Sequence, residues 1–131
     1  MRKKTWLIIA LILGALPALG IYAWQATPAF KEEAAVKAAV AFLKEGPTFG
    51  FDGVPGSIEV VGVAVAESHP LQYVVTVEFQ CRHAGYGDRT GQMVAQVITP
   101  HVARIVVSDG RVVEAVIDGV WDEIRQEPLG S

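Results

Sequence analysis

Cysteine is almost missing from this sequence. A single one, Cys81, in 131 residues rules out an intrachain disulfide and any zinc site built on paired cysteines. No cysteine stands at the end of the apolar N-terminal run, so there is no lipobox. Basic residues are scarce once the first four positions are passed. Residues 1–26 hold Arg2, Lys3 and Lys4 and no acid, which leaves all 14 acids and only 8 bases in residues 27–131, a net charge of −6. Nucleic acid requires a basic face, and docking on anionic lipid by charge requires one as well, so neither partner fits. Several chemical signatures are absent. There is no Gly-x-Ser-x-Gly and no His-Glu-x-x-His. Gly85-Tyr86-Gly87 and Thr90-Gly91 lack the Lys-Ser/Thr pair and the strand-to-helix setting of a phosphate loop, which argues against a nucleotide function. Internal repeats and low-complexity stretches are also missing.

What is present begins with a basic flank and a charge-free run. Trp6 to Trp24 spans 18 steps, about 27 Å of helix, close to the hydrocarbon thickness of a bilayer. Tryptophan at both ends suits the two interfaces, and the flank Arg2-Lys3-Lys4 keeps the N-terminus cytoplasmic. The expectation is a single-pass anchor over residues 1–26 in the cell membrane, with the C-terminal domain extracytoplasmic. The rival is a signal peptide cut at Ala18-Leu19-Gly20, which would leave a secreted protein; the length of the apolar run favours the anchor. Residues 27–127 then form one domain and 128–131 a tail.

Thr27-Pro28 reads as a helix start, with a capping residue followed by proline in the first turn. Lys31 to Glu45 is a helix with Ala35, Val36, Ala39, Val40, Phe42 and Leu43 on its apolar face, stopped by Gly46-Pro47. Thr48 to Ser57 reads as a loop with Phe49 and Phe51 pinned at the core edge. A first strand covers Ser57–Glu67, apolar on both faces with acids near its ends. A second covers Leu71–His83 with clean alternation: Leu71, Tyr73, Val75, Val77, Phe79, Cys81 and His83 share the core face. A third runs from Val102 to Val107. A three-residue turn Ser108-Asp109-Gly110 with a bulge leads to a fourth, Arg111–Asp118, aligning Ala103 and Ile105 with Val113 and Ala115 and placing Arg104 beside Glu114. Val120 to Ile124 is expected to be a turn or short helix, with Trp121 and Ile124 capping the core. The fold class is therefore α+β: a transmembrane helix, then one helix packed on a 3–4-stranded antiparallel meander.

The polar, glycine-rich stretch Cys81–His101 stands apart from this apolar chain. In a meander, His83, His101 and Asp118 reach one rim, near Trp121, Asp122 and Glu123, and residues 84–100 arch over it carrying Tyr86, Asp88 and Arg89. In the competing layout Met93–Thr99 prolongs the third strand, the turn moves to Asp88–Gly91, and the histidines separate. Three readings of the rim follow. His83, His101 and Asp118 can hold a divalent metal, although the expectation for cofactors is none. His83 or His101 can act as a general base beside Asp88 or Asp118. Or the histidines and Asp88-Arg89 form a hydrogen-bonded network tying the loop to the sheet, with Arg89 pairing Asp88, Asp122 or Glu123.

The stretches Arg82–Gln92, Ile98–His101 and Ala115–Glu123 resemble a group of small prokaryotic membrane-anchored or exported proteins with no assigned activity. The resemblance covers roughly residues 48–126 and implies no function. The helix-then-sheet layout is similar to that of cystatin-like and nuclear-transport-factor-2-like small domains, whose folds host inhibitors, peptide-binding modules, ligand pockets and a few enzymes. The cystatin motif Gln-x-Val-x-Gly is absent here. The expectation is a binding domain for a protein partner or small ligand, using loop 82–101 with His83, Tyr86, Asp88, Arg89, His101 and Trp121. The alternative is a metal-dependent or histidine-based hydrolase using His83, His101 and Asp118.

Overall fold

The computed structural model describes residues 28–130, of which those from 32 onward form one compact unit. The expected anchor over residues 6–24 lies outside the described residues. Among the described residues, no helix is long and apolar enough to cross a membrane.

The architecture of the described residues is α+β, one long and one short helix with a six-stranded antiparallel sheet. Helix α1 spans Pro28–Glu45 and α2 spans Pro47–Asp52. The strands are β1 (Glu59–Ala66), β2 (Gln72–Cys81), β3 (Thr99–Ser108), β4 (Arg111–Ile117), β5 (Trp121–Asp122) and β6 (Glu127–Pro128), and they lie in the sheet in chain order. The alternation in β2 sets the core. Tyr73, Val75, Val77, Phe79 and Cys81 are buried, and their partners in β3 across the ladder are Val107, Ile105, Ala103, His101 and Thr99. Ala115 and Ile117 of β4 continue this face. Helix α1 covers it with Ala35, Ala39 and Leu43, flanked by Val36 and Phe42. Two alanines in the contact stripe let the helix lie close to the sheet. Fully buried side chains such as Leu43, Val75, Phe79, Ile105 and Ile117 each stabilise the fold by about 1.5–3 kcal/mol.

Several expectations need correction. The segment taken as a loop at 48–57 begins as α2. Gly46 is extended (φ −70°, ψ 157°) and ends α1, and Pro47 then sits in the first turn of a new helix, where its fixed φ fits. Leu71 is exposed and precedes β2 rather than facing the core. The β3–β4 turn has two residues, not three: Asp109 (φ 52°) and Gly110 (φ 74°) are both left-handed, the hairpin form that matches strand twist. A bulge follows in β4, between the partners of Val106 and Val107. The register pairs Ala103 with Ile117 and Ile105 with Ala115, so Val113 is exposed. Arg104 and Glu114 do meet, at 2.6 Å on the exposed face. Finally, Val120–Ile124 is neither a plain turn nor a helix. Trp121-Asp122 pairs with β4, and Glu127-Pro128, expected in or beside a tail, pairs with β5. The turn between them is tied by Asp122, whose carboxylate accepts from the Ile124 and Arg125 amides at 3.0 Å each. Ile124 is consequently exposed and caps nothing.

Candidate functional site

The loop between β2 and β3, residues 82–98, is built on a narrow base. The Arg82 amide donates to the Asp52 carbonyl at 3.0 Å, and the Ala84 amide donates to the Ala95 carbonyl at 3.0 Å. Gly53 bridges to Cys81, which sets the end of α2 against the end of β2. Inside this base the chain turns at Gly85 (φ 102°) and Gly87 (φ 70°), conformations that side chains rarely adopt. A Cβ at Gly85 would lie 2.8 Å from Arg89 Cδ, so glycine there is what allows Arg89 to fold back under its own loop.

Arg89 is the first anchor. It is 1% exposed and forms an ion pair with Asp52, whose side chain is 6% exposed. Its Nη1 donates to the Gly87 carbonyl at 2.6 Å, and Phe51 lies over the guanidinium with its ring centroid 4.7 Å from Cζ. Asp52 also accepts from the His83 amide at 2.7 Å and meets His83 Nδ1 at 2.8 Å. Burial pushes the Asp52 carboxyl up. The His83 hydrogen bond, the Arg89 charge, Cys81 and the His83 amide outweigh it, and its pKa lies below the usual carboxylate value. Cys81 behaves in the opposite way: burial, then the Asp52 charge, push its thiol up to about 12. Cys81 is therefore an inert core residue, as its strand parity predicted.

The second anchor is His101. Phe79 lies 5.1 Å from its ring on one side and Tyr86 5.3 Å on another, between ring centroids. Its Nδ1 meets Asp118 Oδ2 at 2.6 Å. Tyr86 donates its hydroxyl to the same oxygen at 2.9 Å, and the Val102 amide donates to Oδ1 at 2.8 Å. Asp118 adopts φ 54° in the turn after β4, and aspartate is among the few residues that tolerate this. Burial, then the hydrogen bond to Asp118 and its charge, push the Tyr86 phenol up to about 12. Tyr86 also stacks on Trp121, with centroids 5.6 Å apart and planes 12° apart.

A third set of bonds joins the first two anchors. Glu123 is buried, and its carboxylate accepts from the Thr48 amide at 3.1 Å, the Thr48 hydroxyl at 2.6 Å and Trp121 Nε1 at 3.0 Å. It serves as the cap that Gly46 has no side chain to provide. A Cβ at Gly46 would sit 2.6 Å from its Oε2. Thr48 Oγ1 in turn accepts from the Gly87 amide at 2.7 Å.

Of the residues expected at this site, His83, Tyr86, Arg89, His101 and Trp121 all join the network. Asp88 does not. It is exposed and accepts from the Thr90 amide at 2.9 Å and the Thr90 hydroxyl at 2.6 Å, and these bonds lower its pKa. Arg89 pairs with none of Asp88, Asp122 or Glu123. Its partner is Asp52, which the sequence reading passed over. The proposed trio of His83, His101 and Asp118 divides: His101 takes Asp118, and His83 takes Asp52 instead. The reason is α2, which delivers a second carboxylate to the end of β2. Among the described residues, no group of three or more His, Cys, Asp or Glu side chains is placed to hold a metal ion.

His83 carries the Asp52 carboxylate on its Nδ1 and is 30% exposed at an open groove of about 340 Å³, so it keeps the geometry of an oriented base that solvent can reach. A carboxylate on His101 Nδ1 is the orienting half of a general-base pair. Yet His101 is 2% exposed, and its Nε2 is enclosed with no hydrogen-bond partner, so in this conformation it reaches no substrate. Beyond the anchors the loop changes character. Gly91–Ile98 has no regular structure, and Met93, Val97 and Ile98 are exposed, Met93 fully. Comparison with protein-family models, with curated proteins and with solved structures finds no match for this chain.

Proposed function

We propose that this chain is an interaction domain of cystatin-like layout, anchored by residues 6–24 on the outer side of the cell membrane, that engages a protein partner through the loop between β2 and β3. One observation carries the reading. The base of the loop is fixed by buried Arg89, by Gly87 bonded to Thr48 and by Tyr86 stacked on Trp121, while its outer half exposes Met93, Val97 and Ile98. Apolar side chains on a well-held loop mark a surface that another protein covers. The acidic domain and the charge-free run behind a basic flank support the placement outside the membrane.

The test uses the full chain in its host cell, with a photo-crosslinking amino acid at Gln96, compared with the same chain carrying Met93→Glu, Val97→Glu and Ile98→Glu. These positions are exposed, so the triple variant should melt like the parent. The expected result is a discrete crosslinked adduct in the parent that disappears in the triple variant. An equal adduct in both, or none in either, rejects the loop as the contact surface.

A further inference from the structure

The sheet has a second surface, unrelated to the loop, that is built to receive a strand. β1 is one edge of the sheet, and among the described residues its only strand neighbour is β2. One side of its backbone therefore carries free amides and carbonyls along eight residues, Glu59–Ala66. Protected edges carry lysine, proline or a bulge within the strand, or are covered; β1 is Glu-Val-Val-Gly-Val-Ala-Val-Ala, with one bulge between Val60 and Gly62, and beyond that bulge Gly62–Ala66 has no lysine or proline. Val60, Val63 and Val65 stand opposite Val77, Val75 and Tyr73, so they point to the helix-covered face, but α1 does not reach far enough to bury them, and Val60 and Val65 are exposed. Beside them runs a groove of about 470 Å³ lined by Val40, Phe49, Ile58 and Val60, with Lys44. An added strand would find hydrogen bonds along the edge and apolar seats for alternate side chains.

Charge says what kind of strand. Glu59 stands directly across the ladder from Glu78, both exposed, and neither has an ion-pair partner among the described residues. Like charges directly opposite on a sheet are destabilising unless something neutralises them. Glu67, just past the other end of β1, is also exposed and has no ion-pair partner among the described residues. A second copy of this chain, laid antiparallel about Val63, would set Glu59 against Glu67 twice over. We propose that β1 is a docking edge for an extended segment of a different protein, one that alternates apolar side chains and carries lysine or arginine at the end that meets Glu59 and Glu78.

The probe is a synthetic peptide, Lys-Lys-Val-Thr-Val-Thr-Val-Lys-Lys, titrated into the full chain and followed by fluorescence anisotropy, beside the same peptide with glutamate in place of every lysine. The lysine peptide should bind about tenfold tighter at low salt, and the preference should reverse in a Glu59→Lys/Glu78→Lys variant. Two further peptides, N-methylated at alternate residues in one phase or the other, separate edge pairing from simple charge attraction: one phase should bind and the other should not. Equal binding by both methylated peptides, or no preference for the lysine peptide, overturns the proposal. So does a stable dimer of the chain that an Ala64→Lys variant, with a lysine in the middle of the exposed edge, breaks up, since the occupant would then be a second copy.

Discussion

Removing the Asp52 charge tests whether a buried ion pair holds the loop. In Asp52→Asn the side chain keeps its shape and an oxygen that can accept from the His83 amide, but Arg89 is left charged, 1% exposed and without a counterion. Breaking one side of a buried pair costs about 3–5 kcal/mol, which at roughly 4 °C per kcal/mol for a domain of this size lowers the melting temperature by on the order of 12–20 °C. Arg89→Met should cost a similar amount, because it leaves the buried Asp52 carboxylate without its arginine and the Gly87 carbonyl without its donor. The double variant removes both charges and should recover part of the loss, with a coupling of about 0.5–3 kcal/mol in a double-mutant cycle measured by chemical denaturation. Acid provides a second check. The folded pKa of Asp52 lies below its ordinary value of 3.8, so its stabilisation is complete above that value and is lost as pH falls through the lower folded one. The parent should therefore lose stability over that window, and Asp52→Asn should lose less. A coupling near zero, with parallel acid limbs for parent and variant, would refute the view that this pair holds the loop.

Two other outcomes follow from the same geometry. Cys81, buried and with its thiol pushed up to about 12, should resist a maleimide in the native chain at pH 8 and react fully in denaturant; rapid native labelling would contradict its place in the core. Gly87→Ala must hold a left-handed φ of 70° with its Cβ 2.8 Å from Gln126 Oε1 and 3.1 Å from Trp121, so a loss of at least about 1–2 kcal/mol is expected by urea denaturation, whereas Gly91→Ala, left-handed too but with nothing near, should lose only the backbone part.

The fold was legible where a period ran long enough to be read. Ten residues of strict alternation fixed the core face of β2, and parity alone placed Cys81 and His101 inside. The helix face of α1 was equally clear in Ala35, Ala39 and Leu43. Elements of two to six residues were not legible. α2 spans less than two turns, and β5 and β6 have two residues each, so no periodicity exists in them to detect. Turn chemistry was half read: Asp109-Gly110 was recognised as a turn, but its two left-handed residues make a shorter loop than expected, and this moved the register of β4.

The site divides along the same line, with a consequence for function. Within strands, parity brought His101 to the rim and the meander brought Asp118 to meet it. Asp52 reaches His83 and Arg89 from 31 and 37 residues away, carried by a helix too short to be foreseen. The one sign of it was an isolated acid in the otherwise apolar, glycine-rich run Phe49–Gly56, placed just after two aromatics that need a reason to be there. That acid changes what the exposed loop means. A loop with apolar residues at its tip would ordinarily fold them inward. Here the base of the loop is filled by Arg89, Asp52, Thr48 and Glu123, whose bonds would have to break to admit Met93 or Ile98 there, and the groove of about 340 Å³ beside Arg89 and His83 stays open with Met93 at its rim. Each broken bond would leave a buried polar group unpaired, at about 1–3 kcal/mol, comparable to what burying one apolar side chain returns. The polar network thus closes the base of the loop to Met93, Val97 and Ile98, which stay exposed in the folded domain, as the proposed contact requires.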